Sequence, residues 1–255
     1  MAADPSSTRT GATAGHHQQP VLTLRDVHAG YQDVEILRGI DLDLHRGETV
    51  CVIGANGAGK STLLKTVFGM VATRRGSIRV DGVEVSRDST RARLGRGVVL
   101  VPQGRCNFPR MSVEENLRMG GYTLPRGAVA AGIERAYRTF PVLGERRGQA
   151  AGNLSGGEQQ LLEMAMALML DPKVVLIDEP SLGLSPAMQQ RVFAALRALA
   201  AHQVGVLLVE QNAVQALKVA DRGLVVEWGR VAKSGTGSAM LDDPDVRRAY
   251  LGLPA

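Results

Sequence analysis

Gly54-Ala55-Asn56-Gly57-Ala58-Gly59-Lys60-Ser61-Thr62 satisfies the pattern G-x-x-x-x-G-K-[ST] at every defined position, and its flanks suit the same purpose. Upstream, Thr49-Val50-Cys51-Val52-Ile53 is a short apolar run of strand character. Downstream, Ser61 to Phe68 has helical periodicity, with Leu63, Leu64, Val67 and Phe68 on one face. In a strand, glycine loop and helix of this kind, successive backbone N–H groups form a nest for phosphates. The lysine reaches the β and γ oxygens and the following hydroxyl is offered to magnesium. Lys60 and Ser61 occupy those places.

Val174-Val175-Leu176-Ile177-Asp178-Glu179-Pro180 is a continuous apolar run ending in two acids. Such a run reads as a buried parallel strand that delivers carboxylates to the carboxyl edge of a sheet. Asp178 is the candidate magnesium ligand, directly or through water, and Glu179 the candidate base for an attacking water. The competing reading makes the acids a cap for the helix that begins near Pro186, after Ser181-Leu182-Gly183-Leu184-Ser185. A third stretch, Leu154-Ser155-Gly156-Gly157-Glu158-Gln159-Gln160, opens a helix with a hydroxyl and two glycines. Unpaired N–H groups and the helix dipole favour an anion there, and glycine lets it approach the backbone. This second phosphate grip has no phosphate loop beside it.

Taken in order, the phosphate loop, a glutamine after a strand (Gln103, in Val98-Val99-Leu100-Val101-Pro102-Gln103), LSGGEQ and the apolar run ending in Asp-Glu resemble the nucleotide-binding subunit of ATP-binding cassette (ABC) transporters, over roughly residues 21 to 254. The resemblance implies an α/β fold: a P-loop NTPase core of the ABC-ATPase type, an antiparallel β subdomain and a helical signature lobe over about residues 104–165. It implies ATP and Mg2+, with Gly54 to Thr62 around the phosphates, Ser61, Gln103 and Asp178 at the metal, and Lys60 and Glu179 in hydrolysis. Tyr31, in Ala29-Gly30-Tyr31-Gln32, resembles the aromatic that stacks on adenine. Gln103 resembles the glutamine that also senses the transmembrane partner. In this family two subunits close head to tail, so Ser155, Gly156, Gly157 and Glu158 would contact an ATP held by the partner's phosphate loop. Gly183 falls in the short loop that crosses the dimer interface.

One position departs from the pattern. Many members carry a histidine at the end of the strand equivalent to Val204 to Val209, where it contacts the γ-phosphate; this chain reads Glu210-Gln211-Asn212. Gln211 offers an amide donor there but no imidazole charge near neutrality. Leu208-Val209-Glu210-Gln211-Asn212-Ala213, Asp178-Glu179-Pro180-Ser181-Leu182-Gly183-Leu184, Phe108-Pro109-Arg110-Met111-Ser112-Val113-Glu114-Glu115-Asn116-Leu117 and the closing Arg248-Ala249-Tyr250-Leu251-Gly252 resemble the LivF-type ATPase of branched-chain amino acid importers. The resemblance implies an ATP-hydrolysing subunit that couples to uptake of amino acids. Its partners would be a second ABC ATPase subunit, like or unlike itself, transmembrane permease subunits and, indirectly, a substrate-binding protein. Importers of urea and short amides, lipopolysaccharide exporters and ABC ATPases that work without a membrane are the alternatives. The last usually carry a coiled-coil insertion or two cassettes, and Gln211 argues against the exporter.

Composition agrees. The 255 residues are 44% hydrophobic and 22% charged, enough for one large core or a core with a helical lobe. No apolar run approaches the roughly 20 residues of a membrane span, and no signal peptide is visible. A cytoplasmic protein held at the inner face of the membrane by permease subunits is expected. Cys51 and Cys106 are isolated and suggest neither a disulfide nor a metal site. The net charge of +5 comes from dispersed arginines, chiefly Arg74-Arg75, Arg87 to Arg96 and Arg146-Arg147. They lack interleaved aromatics, so they read as a solvated surface and not as a nucleic-acid platform.

Residues 1–20, rich in Ala, Ser, Thr, Gly and Gln, read as a disordered tail, and 21–255 as the nucleotide-binding domain. Alternation through Val21, Leu22 and Leu24 and through Ile40, Leu42 and Leu44 predicts antiparallel strands. Asp81-Gly82 predicts a hairpin turn, as does Trp228-Gly229-Arg230. Ser112 with Glu115 predicts a capping box, Gly127 to Phe140 a helix, and the run from Leu161 to Met169 a mostly buried one.

Overall fold

The computed structural model describes residues 19–252, so the expected tail lies almost entirely outside the described residues. Two antiparallel strands, Leu22–Tyr31 (β1) and Val34–Leu44 (β2), lead into the central strand Thr49–Ile53 (β3) and the helix Lys60–Phe68 (α1). Thr73–Val80 (β4) and Val83–Glu84 (β5) then complete a four-stranded antiparallel sheet of order β2-β1-β4-β5. The helix Thr90–Gly95 (α2) and the strand Val98–Val101 (β6) precede a helical segment: Val113–Gly120 (α3), Arg126–Thr139 (α4), Pro141–Glu145 (α5) and Gly156–Leu168 (α6). The remainder alternates through Val174–Asp178 (β7), Pro186–Ala201 (α7), Gly205–Val209 (β8) and Ala213–Val219 (α8). A hairpin, Arg222–Glu227 (β9) and Arg230–Thr236 (β10), and the short helices Gly237–Asp242 (α9) and Pro244–Val246 (α10) close it.

The second sheet has the order β10-β9-β3-β8-β7-β6. Five of its strands are parallel, and β10 alone runs antiparallel, to β9. All residues of β3, β7 and β8 are buried, which explains runs with no polar alternation: both faces of a parallel sheet are covered. Strand periodicity divides these runs between two cores. Val50, Val52, Val174, Leu176, Leu207 and Val209 join Leu63, Leu64 and Val67 of α1 and the antiparallel sheet. Cys51, Ile53, Val175, Ile177, Val206 and Leu208 face Leu162 and Met164 of α6 and Leu196 of α7.

The turns follow the sequence. Asp81 and Gly82 have φ of 47° and 75°, and Trp228 and Gly229 have 49° and 78°; two positive values match the turn that suits strand twist. Ser112 and Glu115 form the expected capping box at α3. The basic run 87–96 is a partial correction. Arg93 is 1% exposed, and its guanidinium donates to the carbonyls of Thr66 (2.7 Å), Val67 (2.8 Å) and Ser86 (2.9 Å). It closes the C-terminal end of α1, whose last carbonyls have no helical partner, and is not part of a solvated surface.

Candidate nucleotide site

Because β3, β7 and β8 are parallel neighbours, their carboxyl ends meet at one edge of the sheet, where ligands of open α/β sheets bind. The loop after β3 needs glycine for two reasons. At Gly54 a Cβ would stand 2.2 Å from the Val226 carbonyl oxygen of β9. At Gly59, the N-cap of α1, φ is 109°, a conformation that L side chains avoid. Lys60 is 5% exposed, and its Nζ donates to the carbonyls of Gly54 (2.8 Å) and Ala55 (3.1 Å). The ammonium therefore spans the loop that carries the first-turn N–H groups of α1.

Ser61 Oγ donates to Asp178 Oδ1 at 3.1 Å across 117 residues of sequence. Burial pushes the Asp178 carboxyl above its usual range, against the Ser61 hydroxyl and the charges of Lys65 and Lys60. A hydroxyl and a carboxylate are hard oxygen donors of the kind Mg2+ takes, usually with substrate phosphates as further ligands. Among the described residues no group of three or more His, Cys, Asp and Glu is arranged to hold a metal alone.

Glu179 follows directly, with φ of 48°, the sparsely populated left-handed region. Its N–H donates to the Val209 carbonyl at the end of β8 (2.9 Å). Its Oε2 accepts from Gln103 Nε2 at 3.0 Å, so the loop after β6 meets the loop after β7. Gln103, Glu179, Gly156 and Leu182 to Leu184 line a cleft of about 580 Å3. An adjoining cleft of about 260 Å3 is lined by Glu179, Gln211, Glu210 and Asn212 among others. Tyr31, 47% exposed, pairs with Val34 across the β1–β2 turn. Farther along β2, Leu37 and Ile36 lie 3.1 and 3.3 Å from where a Gly59 Cβ would sit, so this strand abuts the phosphate loop.

Ser155 to Glu158 make their hydrogen bonds elsewhere, although Gly156 lines a cleft with Gln103 and Glu179. Among the described residues no hydrogen bond joins them to Gly54–Thr62; they are occupied with their own helix. Ser155 Oγ accepts from the Glu158 N–H (3.4 Å), and Glu158 Oε2 accepts from the Ser155 N–H (2.9 Å). Glu158 also pairs with Arg146 at 3.1 Å. Its carboxylate is thus engaged in the cap, while Ser155 and Gly156 are exposed.

Sequence reasoning passed over Glu210. It is 2% exposed and accepts from the backbone N–H groups of Ser181, Gln211 and Asn212. The available signal was the one that found Asp178 and Glu179, an acid directly after a buried strand.

The model of the family described as "ABC transporter" matches residues 37–182. A Pseudomonas aeruginosa protein named "High-affinity branched-chain amino acid transport ATP-binding protein BraG" is 44% identical over 232 residues, 91% of this chain and 100% of that one. A protein of Archaeoglobus fulgidus named "Probable branched-chain amino acid transport ATP-binding protein LivF" is 35% identical over 89% of this chain and 97% of its own length. Among solved structures, a nucleotide-free ATP-binding cassette from an ABC transporter has the same fold, with a TM-score of 0.81 over 91% of this chain and 99% of that one, at 24% identity.

Proposed function

This chain belongs to the ABC transporter family as an ATP-binding subunit, and on that premise we propose that it hydrolyses ATP to drive an importer of branched-chain amino acids. The observation that carries the substrate class is the 44% identity to a branched-chain amino acid transport ATP-binding protein along that protein's whole length. Residues 21–255 act as one cassette, with the helical lobe at about 104–165.

ATP lies on the loop Gly54 to Thr62, its adenine against Tyr31. Backbone N–H groups and Lys60 surround the β and γ phosphates, and the lysine exchanges the Gly54 and Ala55 carbonyls for phosphate oxygens. Ser61 and Asp178, with Gln103 nearby, hold Mg2+, which neutralises charge on the phosphates. Glu179, already bonded to Gln103, orients the attacking water and takes its proton. Gln211 donates its amide to the γ-phosphate. Ser155, Gly156 and Gly157 complete the site on a second ATPase subunit from the start of α6, where Ser155 and Gly156 are exposed, with Glu158 supporting them through the capping box. Closure of the pair pushes on permease subunits at the inner face of the membrane, and hydrolysis resets it. No helix among the described residues is long and apolar enough to cross a membrane itself.

The test is to purify the chain with its membrane partners, reconstitute them in vesicles, and measure ATP hydrolysis with the substrate-binding protein loaded in turn with leucine, isoleucine, valine, glutamate or urea, and with lipopolysaccharide in place of the binding protein. Stimulation by leucine, isoleucine and valine is expected. Stimulation by urea alone, or by lipopolysaccharide without any binding protein, overturns the substrate assignment.

A further inference from the structure

Glu210 sits where β8 ends, immediately before Gln211, and the residue is 2% exposed. One carboxylate oxygen accepts from the Ser181 N–H at 2.9 Å. The other accepts from the Gln211 N–H at 3.1 Å and the Asn212 N–H at 3.2 Å. Burial pushes the carboxyl above its usual range, against these donors and the Ser181 hydroxyl. A buried charge held this way is costly unless its donors are fixed. The donors belong to two loops: Ser181 is two residues beyond Glu179, and Gln211 begins the turn after β8.

A second connection joins the same loops. Asn212 Nδ2 donates to Gln189 Oε1 at 3.1 Å, and Gln189 Nε2 donates to the carbonyls of Ser181 (3.4 Å) and Leu184 (3.3 Å). Glu210, Ser181, Gln189 and Asn212 therefore close a ring through the loop after β7, the first turns of α7 and the turn after β8. The Glu179 N–H bonded to Val209 lies just outside it.

We propose that Glu210 is a positioning residue that locks the backbone of Gln211 to the loop following Glu179, so that the γ-phosphate contact and the general base are set as one unit. The proposal rests on the hydrolytic roles given above to Glu179 and Gln211. It adds a reason for an acid at this place. A neutral amide at 211 has no charge to draw it to phosphate, so its placement depends on the backbone beneath it, and Glu210 fixes that backbone. Both carboxylate oxygens are acceptors, so an amide at 210 turns an NH2 group against one of the backbone donors. Misplacement of a reacting group by about 1 Å can cost roughly 100-fold in rate.

The test uses the purified transporter complex, with ATP hydrolysis followed against ATP concentration. Glu210→Gln is expected to lower kcat roughly 10- to 100-fold while KM for ATP stays within about twofold, because the phosphate loop is untouched. Glu210→Gln combined with Gln211→Ala is expected to be little worse than the more damaging single variant, the non-additivity of residues that act together. Gln189→Ala, which cuts the ring from its half-buried side and keeps the carboxylate, is expected to lower kcat about threefold to tenfold at constant KM. It carries the test if Glu210→Gln does not fold. Wild-type kcat in both single variants, a KM rise without a kcat loss, or additive effects in the double variant overturns the proposal. If the unmodified complex does not hydrolyse ATP, or Glu179→Gln matches it, the reading of the site has failed instead.

Discussion

Glu179 combines three features that no other candidate side chain shares: left-handed backbone, a carboxylate facing a cleft, and a hydrogen bond to Gln103 from another loop. A non-glycine residue with φ of 48° costs of order 1–3 kcal/mol and persists when its surroundings over-determine it; the Val209 carbonyl provides that hold. Glu179→Gln keeps the shape and removes the base. It is expected to bind ATP normally and to lower kcat roughly 100- to 10,000-fold in the purified complex, read by nucleotide binding alongside phosphate release. Unchanged turnover would place the base elsewhere. In the proposed site Lys60 contacts the phosphates, so Lys60→Ala is expected to weaken nucleotide binding itself, and the two variants separate binding from chemistry.

The elements were legible in the sequence where one local rule decided them. Buried runs gave β3 and β7, the family resemblance gave β8, the Ser112 and Glu115 spacing gave the start of α3, and Asp81-Gly82 and Trp228-Gly229 gave hairpins. Arg93 was not legible, because a basic run looks the same whether its members are solvated or folded inward; only the tertiary approach of α2 to the end of α1 distinguishes them. Its guanidinium donates to the carbonyls of Thr66, Val67 and Ser86, and a cation suits the helix C-terminus. Arg93→Ala is expected to cost about 3 kcal/mol, a fall in Tm of roughly 6–12 °C for a chain of this size, measured by thermal unfolding. At α6 burial raises the Glu158 carboxyl, but the Ser155 N–H and hydroxyl and the Arg146 charge outweigh it and hold the group below its usual range. The folded value is the lower one, so the unfolded chain binds the proton more readily. The carboxylate's contribution is present above the ordinary carboxyl range and is lost as pH falls through the folded value. Glu158→Gln retains a capping box without the charge, so the difference in Tm between wild type and this variant is expected to shrink as pH is lowered from about 6 to about 3. A difference independent of pH would remove the charge from the account.

At the scale of the whole molecule the groups proposed to bind phosphate fall into two sets. Gly54 to Ser61, Asp178, Gln103 and Glu179 converge at one edge of the parallel sheet, whereas Ser155 and Gly156 are presented to solvent at the start of α6. The sequence made the loop Gly54 to Thr62 and the start of α6 visible as anion grips, but spacing along a chain cannot say whether two grips share one ligand; in the fold Gly156 lines the same cleft as Gln103 and Glu179, while no hydrogen bond among the described residues joins Ser155 to Glu158 to the loop Gly54 to Thr62. A helix N-terminus with exposed donors is complementary to an anion brought by another molecule, and a head-to-tail pair of cassettes brings one. Ser155→Arg fills that surface with a long side chain and removes the hydroxyl from the cap, while leaving the subunit's own phosphate loop intact. In the assembled pair, vanadate trapping of an azido-ATP marks the subunit whose loop has turned over nucleotide. The variant is expected to keep trapping on its own loop within about twofold and to lower trapping on the partner's loop roughly 100-fold, the scale of losing a preorganised donor to a phosphate-like transition state. Loss confined to its own loop would mean that the start of α6 serves the subunit that carries it, and equal loss on both would mean that the substitution acts through folding or closure and not through a shared site.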